Sequence, residues 1–445
     1  MRKVVSLMIL ACLVMLAGCD KYLDIQPVGS VIPNSLEEYR ALLSRAYKNV
    51  SALSARGMAC LRSDEMQIRD DEYDQSYYGD IERWNDLAPS PYTTQFEWGK
   101  FYNILFIANH VIESKGDITE GTPDEVNQLV GEAYLLRAYM HFSSVNLFGQ
   151  PYTKPGAIDT KSIPLKFDTD LEKVLSRNTV GEVYESILSD IESARRLVNK
   201  EMWETEYSYR FNTLSVEAFE SRTALYMGEW QKAYDASEAL LNKKASLEDL
   251  NSASPVLPNH YESVENITAL ETSLSNTISR GSLARAAFLS LYSEGDRRLE
   301  LYFEAPDSDG NCKNKKSGYN QYSCSFRVGE IYLNSAEAAA NLNKLPEART
   351  RLLQLMQKRY TPEAYAAKET AVNAMNQQEL IKEILDERAR ELAYEGHRWF
   401  DLRRTTRPRI EKILDGKSYV LEQDDARYTL PIPKDAIAAN PGLAN

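Results

Sequence analysis

The sequence predicts a mainly α-helical protein, and three observations carry that prediction. Apolar residues recur at spacings of three and four over long stretches, the pattern of helices with one buried face. Helix-start signatures stand ahead of several of these stretches, and Gly or Pro closes them. The intervening stretches, 151–178, 244–325 and 404–445, have no helical period.

The first predicted helix follows Ser35 and covers 36–53, with Leu36, Tyr39, Leu42, Leu43, Ala46 and Tyr47 along one side. Residues 60–95 read as a long acidic loop that holds Asp70-Asp71-Glu72-Tyr73-Asp74 and the dipeptide Tyr77-Tyr78. A second helix is predicted over 96–112. Thr122-Pro123-Asp124-Glu125 is a sharp helix start: Thr122 caps, Pro123 suits the first helical position, and Glu125 closes a capping box. The helix behind it is apolar around most of its circumference, with Val126, Leu129, Val130, Ala133 and Leu136 in one stripe and Leu135, Ala138, Tyr139 and Phe142 offset around it, so it is predicted to lie between neighbours. Gly149 and Pro151 end it. Thr179 with Glu182 opens the next helix, which reaches past Ala194. Residues 213–242 break at Gly228, and 328–358 break between Asn343 and Pro346. Alanines on facing helices allow close approach and the break folds the chain back, which is the physical content of a tetratricopeptide-type hairpin. Four helix pairs result: 36–53 with 96–112, 123–147 with 179–198, and the two hairpins.

At the N-terminus, Arg2 and Lys3 precede an apolar run over 4–15 that ends in Leu16-Ala17-Gly18-Cys19. A short positive region, an apolar run and small residues before a cleavage point make a secretion signal. The run is shorter than the ~20 residues that a spanning helix needs. Small residues admit a peptidase, and the Cys19 thiol can take a diacylglyceryl group, so the segment resembles the lipobox of bacterial lipoproteins. Several acyl chains on one cysteine, at about 0.8 kcal/mol per buried methylene, hold a protein on a membrane. The formal charge is −13, and loss of Arg2 and Lys3 with the signal takes it to −15. That balance excludes nucleic acid as a partner, because phosphate binding needs a basic footprint. Cys60, Cys312 and Cys324 are an odd set; Cys312 and Cys324 bracket a Gly/Asn/Lys-rich loop, where a bridge and two free thiols are both compatible with the spacing.

Motifs for catalysis are missing. There is no Gly-x-Ser-x-Gly elbow, no Walker-type phosphate loop and no His-Glu-x-x-His. His110, His141 and His260 lack a partner at metal-binding spacing, and His397 is read as a structural hydrogen-bonding residue. Asp307-Ser308-Asp309-Gly310-Asn311 has oxygens at spacings a calcium loop uses, but it lacks the distal Glu and reads first as a solvated acidic turn. No cofactor is expected. For a binding site, aromatics outside helix interiors matter, because sugar rings stack on flat faces while their hydroxyls need polar neighbours. Trp98 with Asn103 fits that description, with core packing as the alternative for Trp98. Tyr302, Tyr319 and Tyr322 form a second group, Trp203 and Tyr207 a weaker third. Trp230 and Trp399 are assigned to the core.

The predicted C-terminal helix, 387–404, which contains Glu387-Arg388-Ala389-Arg390-Glu391 and Gly396-His397-Arg398-Trp399-Phe400-Asp401-Leu402-Arg403-Arg404, resembles the signature of the SusD/RagB family of Bacteroidota outer-membrane lipoproteins. Gly131-Glu132-Ala133-Tyr134-Leu135-Leu136-Arg137 is similar to the family's early buried helix. Arg327-Val328-Gly329-Glu330-Ile331-Tyr332 is similar to its central helix, and Tyr428-Thr429-Leu430-Pro431-Ile432-Pro433 to its usual end. The resemblance implies a signal peptide over 1–18 and one SusD-like domain over 19–445. That domain comprises a tether at 19–35, a helical scaffold mainly over 36–53, 96–147, 179–242 and 326–404, and a decorating lobe at about 244–325. It also implies four tetratricopeptide-like helix pairs with an irregular, loop-rich ligand-facing part. The implied role is non-catalytic capture of oligosaccharides on the outer face of the outer membrane, beside a SusC-like TonB-dependent transporter. Acyl chains on Cys19, palmitate among them, would hold the protein there. The RagB branch is associated with oligopeptides, which is the alternative ligand. Family sugar contacts at the start of the 96–112 helix and in the loop before it carry over to Trp98, Asn103, Asp74 and Trp84.

Overall fold

The scaffold helices are α1 (Leu36–Ser51), α2 (Glu72–Glu82), α3 (Trp98–Glu113), α4 (Pro123–Phe148), α5 (Val180–Leu197), α6 (Thr213–Met227), α7 (Trp230–Leu241), α8 (Val328–Asn341), α9 (Leu345–Gln357), α10 (Pro362–Ala374), α11 (Gln377–Glu391) and α12 (Arg398–Arg404). They come from a computed structural model that describes residues 33–414 and 416–444. The signal over 1–18, Cys19 and the tether up to residue 32 lie outside the described residues.

Ser35, Thr122 and Thr179 cap α1, α4 and α5, and in each the glutamate three residues on bonds back to the cap amide. α1 packs on α3, α4 on α5, α6 on α7 and α8 on α9, so the four expected pairs form. They lie side by side, because α3 also packs on α4 and α7 on α8. Gly228 makes the turn between α6 and α7 at φ +74°, a left-handed conformation that glycine adopts without a Cβ penalty. Among the described residues, no helix is long and apolar enough to cross a membrane.

Six short strands, β1 (Met66–Ile68), β2 (Asn266–Thr268), β3 (Ser282–Ala284), β4 (Phe326–Arg327), β5 (Ile410–Leu414) and β6 (Lys417–Leu421), form three antiparallel ladders among the described residues: β1 with β3, β2 with β4, β5 with β6. The first two fasten the 244–325 stretch to the helical scaffold.

Two sequence expectations are corrected here. Residues 60–95 are not all loop: Asp71 caps α2 by accepting the Asp74 amide at 2.9 Å, and Tyr78 and Ile81 bury its inner face. The 387–404 stretch is not one helix either. It breaks between α11 and α12, where Tyr394 and Gly396 take φ +62° and +77°. Cys312 and Cys324 are free, buried thiols. Trp399 is 2% exposed, whereas Trp230 is half-buried against Ala224, Leu225, Ala233 and Ala338.

The signature residues form a buried ionic network. Glu391 accepts from Arg298 at 3.0 Å, from Arg327 at 2.7 Å and from Arg359 at 2.8 Å. Arg298 also pairs with Asp296 and Glu387, Arg327 with Glu265 and Glu395. Burial alone would raise the Glu391 carboxyl, but the surrounding guanidiniums hold it well below the usual carboxylate range. Through these contacts α11 is joined to the lobe, to β2, to β4 and to the end of α9.

Glu65 stands apart from that network. It is buried; one oxygen accepts the Tyr394 amide at 2.7 Å and the other has no partner. Burial pushes its carboxyl up to about 8 from the usual 4.5. The folded chain therefore holds this proton more tightly than the unfolded chain does. Its stabilisation is full below pH 4.5 and is lost as pH rises through 8. Urea unfolding between about pH 5 and about pH 9 is expected to show stability falling by up to about 1.4 kcal/mol per pH unit from this group. Glu65→Gln removes that part of the slope; a slope unchanged from wild type contradicts the assignment.

Candidate binding cleft

The C-terminal end of α4 opens on a cleft of about 960 Å³, within the size range of small-molecule sites. Its walls come from four separate segments: residues 84–87 after α2, 148–161 after α4, Arg177 before α5, and 426–444 at the C-terminus. Arg403 of α12 sets the spacing of the second and fourth of these, because its guanidinium donates to the carbonyls of Asn146, Gly149 and Tyr428. The Leu430 amide donates to the Leu147 carbonyl at 3.0 Å, which lays the C-terminal strip along the end of α4.

Trp84 forms part of the floor. It sits at φ +57° and is 2% exposed, with Nε1 donating to the Arg62 carbonyl at 3.0 Å. Arg62 holds Asp86 with two hydrogen bonds, at 2.7 and 2.8 Å, and donates to the Arg427 carbonyl at 2.7 Å. The guanidinium of Arg62 lies 5.2 Å from the centre of the Trp399 ring. The signature tryptophan thus supports the cleft from below. Phe148 lines the cleft, and the half-buried Trp98 meets it edge-on with centroids 4.9 Å apart. Trp98 also lies 5.1 Å from Tyr102, whose hydroxyl donates to the Pro164 carbonyl.

The other residues singled out from the sequence are dispersed. Asn103 is exposed and accepts from Asn49 Nδ2 at 3.3 Å. Asp74 is 3% exposed; its carboxylate accepts from Arg69 and abuts Gly281, where a Cβ would stand 2.6 Å from it. It joins α2 to the lobe and is closed to ligand. Tyr302 has no exposed surface, and Lys316 Nζ lies 3.8 Å from its ring centre, so the structure places it in the core and not at a ligand-facing surface. Tyr319 is 58% exposed. Tyr322 is half-buried and meets His260, which stacks on Tyr261 at 4.9 Å. Sequence reasoning missed His260 and Tyr261 in that patch. It also missed the pair Tyr73 and Tyr77, 4.6 Å apart, although α2 shows them at the i, i+4 spacing of one helix face. In the Asp307 turn, the carboxylate accepts the amides of Asp309 and Asn311.

Trp203 lies in a second cavity of about 570 Å³, lined also by Leu36 and Asp124 at the start of α1 and α4. α4 has 26 residues, a length of about 39 Å, so this cavity and the first cleft are at opposite ends of the bundle. Arg40, Lys200 and Arg210 surround the Trp203 ring at 5.1 to 5.9 Å, with Glu37, Asp124 and Glu125 close by.

These features define a helical-repeat scaffold that carries open cavities at its ends. Residues 301–445 match the family model described as "SusD family", and residues 21–225 match one described as "Starch-binding associating with outer membrane". SusD-like protein P38 of Formosa agariphila is 25% identical, over 91% of each chain. A SusD superfamily protein of Bacteroides thetaiotaomicron superposes with a TM-score of 0.76 at 22% identity, over 92% of this chain and 99% of that one. A putative sugar binding protein of Bacteroides vulgatus superposes at 0.75 with 21% identity, over 93% and 98%. The chain belongs to the SusD/RagB family.

Proposed function

We propose that this chain is a non-catalytic, lipid-anchored surface protein that captures oligosaccharides and presents them to a SusC-like TonB-dependent transporter in the outer membrane. The observation that carries this reading is the cleft at the end of α4, open, large and apolar along much of its wall, on a family scaffold whose relatives include a putative sugar binding protein. The family description of starch binding and outer-membrane association supports the same class of ligand and the same location. Acylation of Cys19 supplies the attachment.

The chemistry of the cleft supports holding over cutting. Hydrolysis of a glycosidic bond by the usual route needs two carboxyl groups across the bond, about 5 to 9.5 Å apart. Asp86 is the one carboxylate among the described lining residues, and Arg62 occupies both of its oxygens. A second reading, oligopeptide capture, draws on the Trp203 cavity, whose mixture of Arg40, Lys200 and Arg210 with Glu37 and Asp124 suits a ligand carrying both charges.

Trp98→Ala and Tyr322→Ala separate the two aromatic surfaces on a glycan array. Loss of a central stacking contact is expected to weaken saccharide binding by about 1 kcal/mol or more, roughly fivefold. Saccharide binding that is unchanged in both variants contradicts the role of these surfaces. Affinity purification of the tagged chain from outer membranes is expected to bring down a large barrel protein; recovery of soluble proteins alone would point to a scaffolding role instead.

A further inference from the structure

The charge of the cleft runs against the charge of the chain. The protein is formally −13, yet Lys154, Lys161, Arg177 and Arg427 line this cleft, where Asp86 is the single carboxylate among the described lining residues. Asp86 is engaged by Arg62, and Arg427 pairs with Asp425 at 2.6 Å. The other three cations have no carboxylate partner within 4 Å among the described residues. Lys154 reaches only the Gln150 amide oxygen, at 3.3 Å. Lys161 is exposed. Glu182 feels its charge, but that carboxylate does not line the cleft and is taken up by the Thr179 amide at 2.8 Å and Asn178 Nδ2 at 3.1 Å.

Arg177 is the most constrained of the three. Its Nε and one terminal nitrogen donate to the carbonyls of Ser162 and Lys161, both at 2.8 Å. Those bonds fix the guanidinium plane, and the second terminal nitrogen makes no hydrogen bond among the described residues. A held guanidinium with free donors suits planar or tetrahedral oxyanions, which it can bind through two hydrogen bonds. Partial burial disfavours the charged form of Arg177, a cost that an arriving anion offsets. Around these cations the rim is apolar, formed by Leu87, Pro155, Pro431 and Ile432.

We propose that the ligand of this cleft is an acidic oligosaccharide, with C–H faces of its rings on the apolar rim and its carboxylate or sulfate-ester groups on Arg177, Lys161 and Lys154. The proposal rests on the reading of the cleft as a saccharide site and adds the class of saccharide.

The test is calorimetric titration of the full mature chain, purified in detergent, with three probes of equal length: an oligogalacturonate, a sulfated galactan oligosaccharide and a neutral galactan oligosaccharide. At least one acidic probe is expected to bind about tenfold or more tightly than the neutral one, and to weaken several-fold as salt rises from about 20 to about 300 mM. The two acidic probes distinguish carboxylate from sulfate. Lys161→Gln changes an exposed side chain and is expected to lower the acidic affinity about threefold or more while leaving the thermal midpoint in place. Arg177→Gln is expected to lower it about tenfold, with Arg177→Lys in between. Neutral binding as tight as acidic, insensitive to salt and to Lys161→Gln, overturns the acidic assignment and leaves the saccharide reading standing. Failure of all three probes overturns both.

Discussion

Glu391→Ala is expected to destabilise the protein by about 3–5 kcal/mol, the range for removing one partner from a buried ion pair. Three arginines, Arg298, Arg327 and Arg359, converge on this carboxylate with side chains at most 1% exposed. Without it they remain in the interior with one counter-charge fewer. The neighbours absorb only part of the loss: Glu387 is already shared by Arg298 and Arg390, and Glu395 by Arg327 and Lys316. The consequence reaches beyond α11, because the same arginines fasten the lobe through Arg298 and the β2–β4 ladder through Arg327 and Glu265. Urea unfolding followed by circular dichroism measures the effect. A midpoint shift worth less than about 1 kcal/mol, the range of a surface pair, contradicts this account of the signature.

Trp399→Ala is expected to cost about 3–5 kcal/mol as well, by a different route, the loss of a large ring from a packed core. Trp399 is 2% exposed. Tyr428 stacks on it with centroids 4.9 Å apart and planes 13° from parallel, and the Arg62 guanidinium lies over the ring. Both partners hold cleft walls, Tyr428 within the C-terminal strip and Arg62 through Trp84, Asp86 and the Arg427 carbonyl. The variant is therefore expected to lose ligand affinity even where it remains folded. Trp399→Phe keeps part of the stack and should recover part of the stability. If Trp399→Ala loses stability and keeps full affinity in its folded fraction, the link from signature to cleft is wrong.

The scaffold was legible because its information is local. Thr122 with Glu125 and Thr179 with Glu182 announce two helix starts within four residues, and both capping boxes form. Wide apolar coverage of α4 correctly placed it inside, with nearly every residue from Gln128 to Phe148 buried. Elements were misread where local signals conflict. Asp71 was available as a cap for α2, but the acidic run around it resembles a loop. The helical period of 387–404 conceals a turn that depends on Gly396 at positive φ. The cleft was not legible, since its four segments are far apart in sequence and the C-terminal strip has no helical period to place it. Tyr302 illustrates the same limit: a tyrosine in a loop-rich stretch looks available, and only the three-dimensional position of Lys316 and the ionic network shows it to be core.

Recognition reached further than periodicity did. The 387–404 signature identified the family, and the structure gives a physical reason for its pattern of alternating acids and bases. Glu387, Glu391 and Glu395 lie at i, i+4 and i+8 and meet arginines from three other segments, Arg298, Arg327 and Arg359, and Arg390 of α11 itself. These residues hold the fold together and position the segments that line the candidate cleft.

Equilibrium dialysis of the full mature chain against a mixed pool of labelled oligosaccharides and oligopeptides, followed by mass analysis of what is retained, tests the central claim most directly. The account predicts that oligosaccharides are retained, that their retention saturates, and that they are recovered uncut. Retention of peptides alone, or recovery of shortened saccharides, would contradict it.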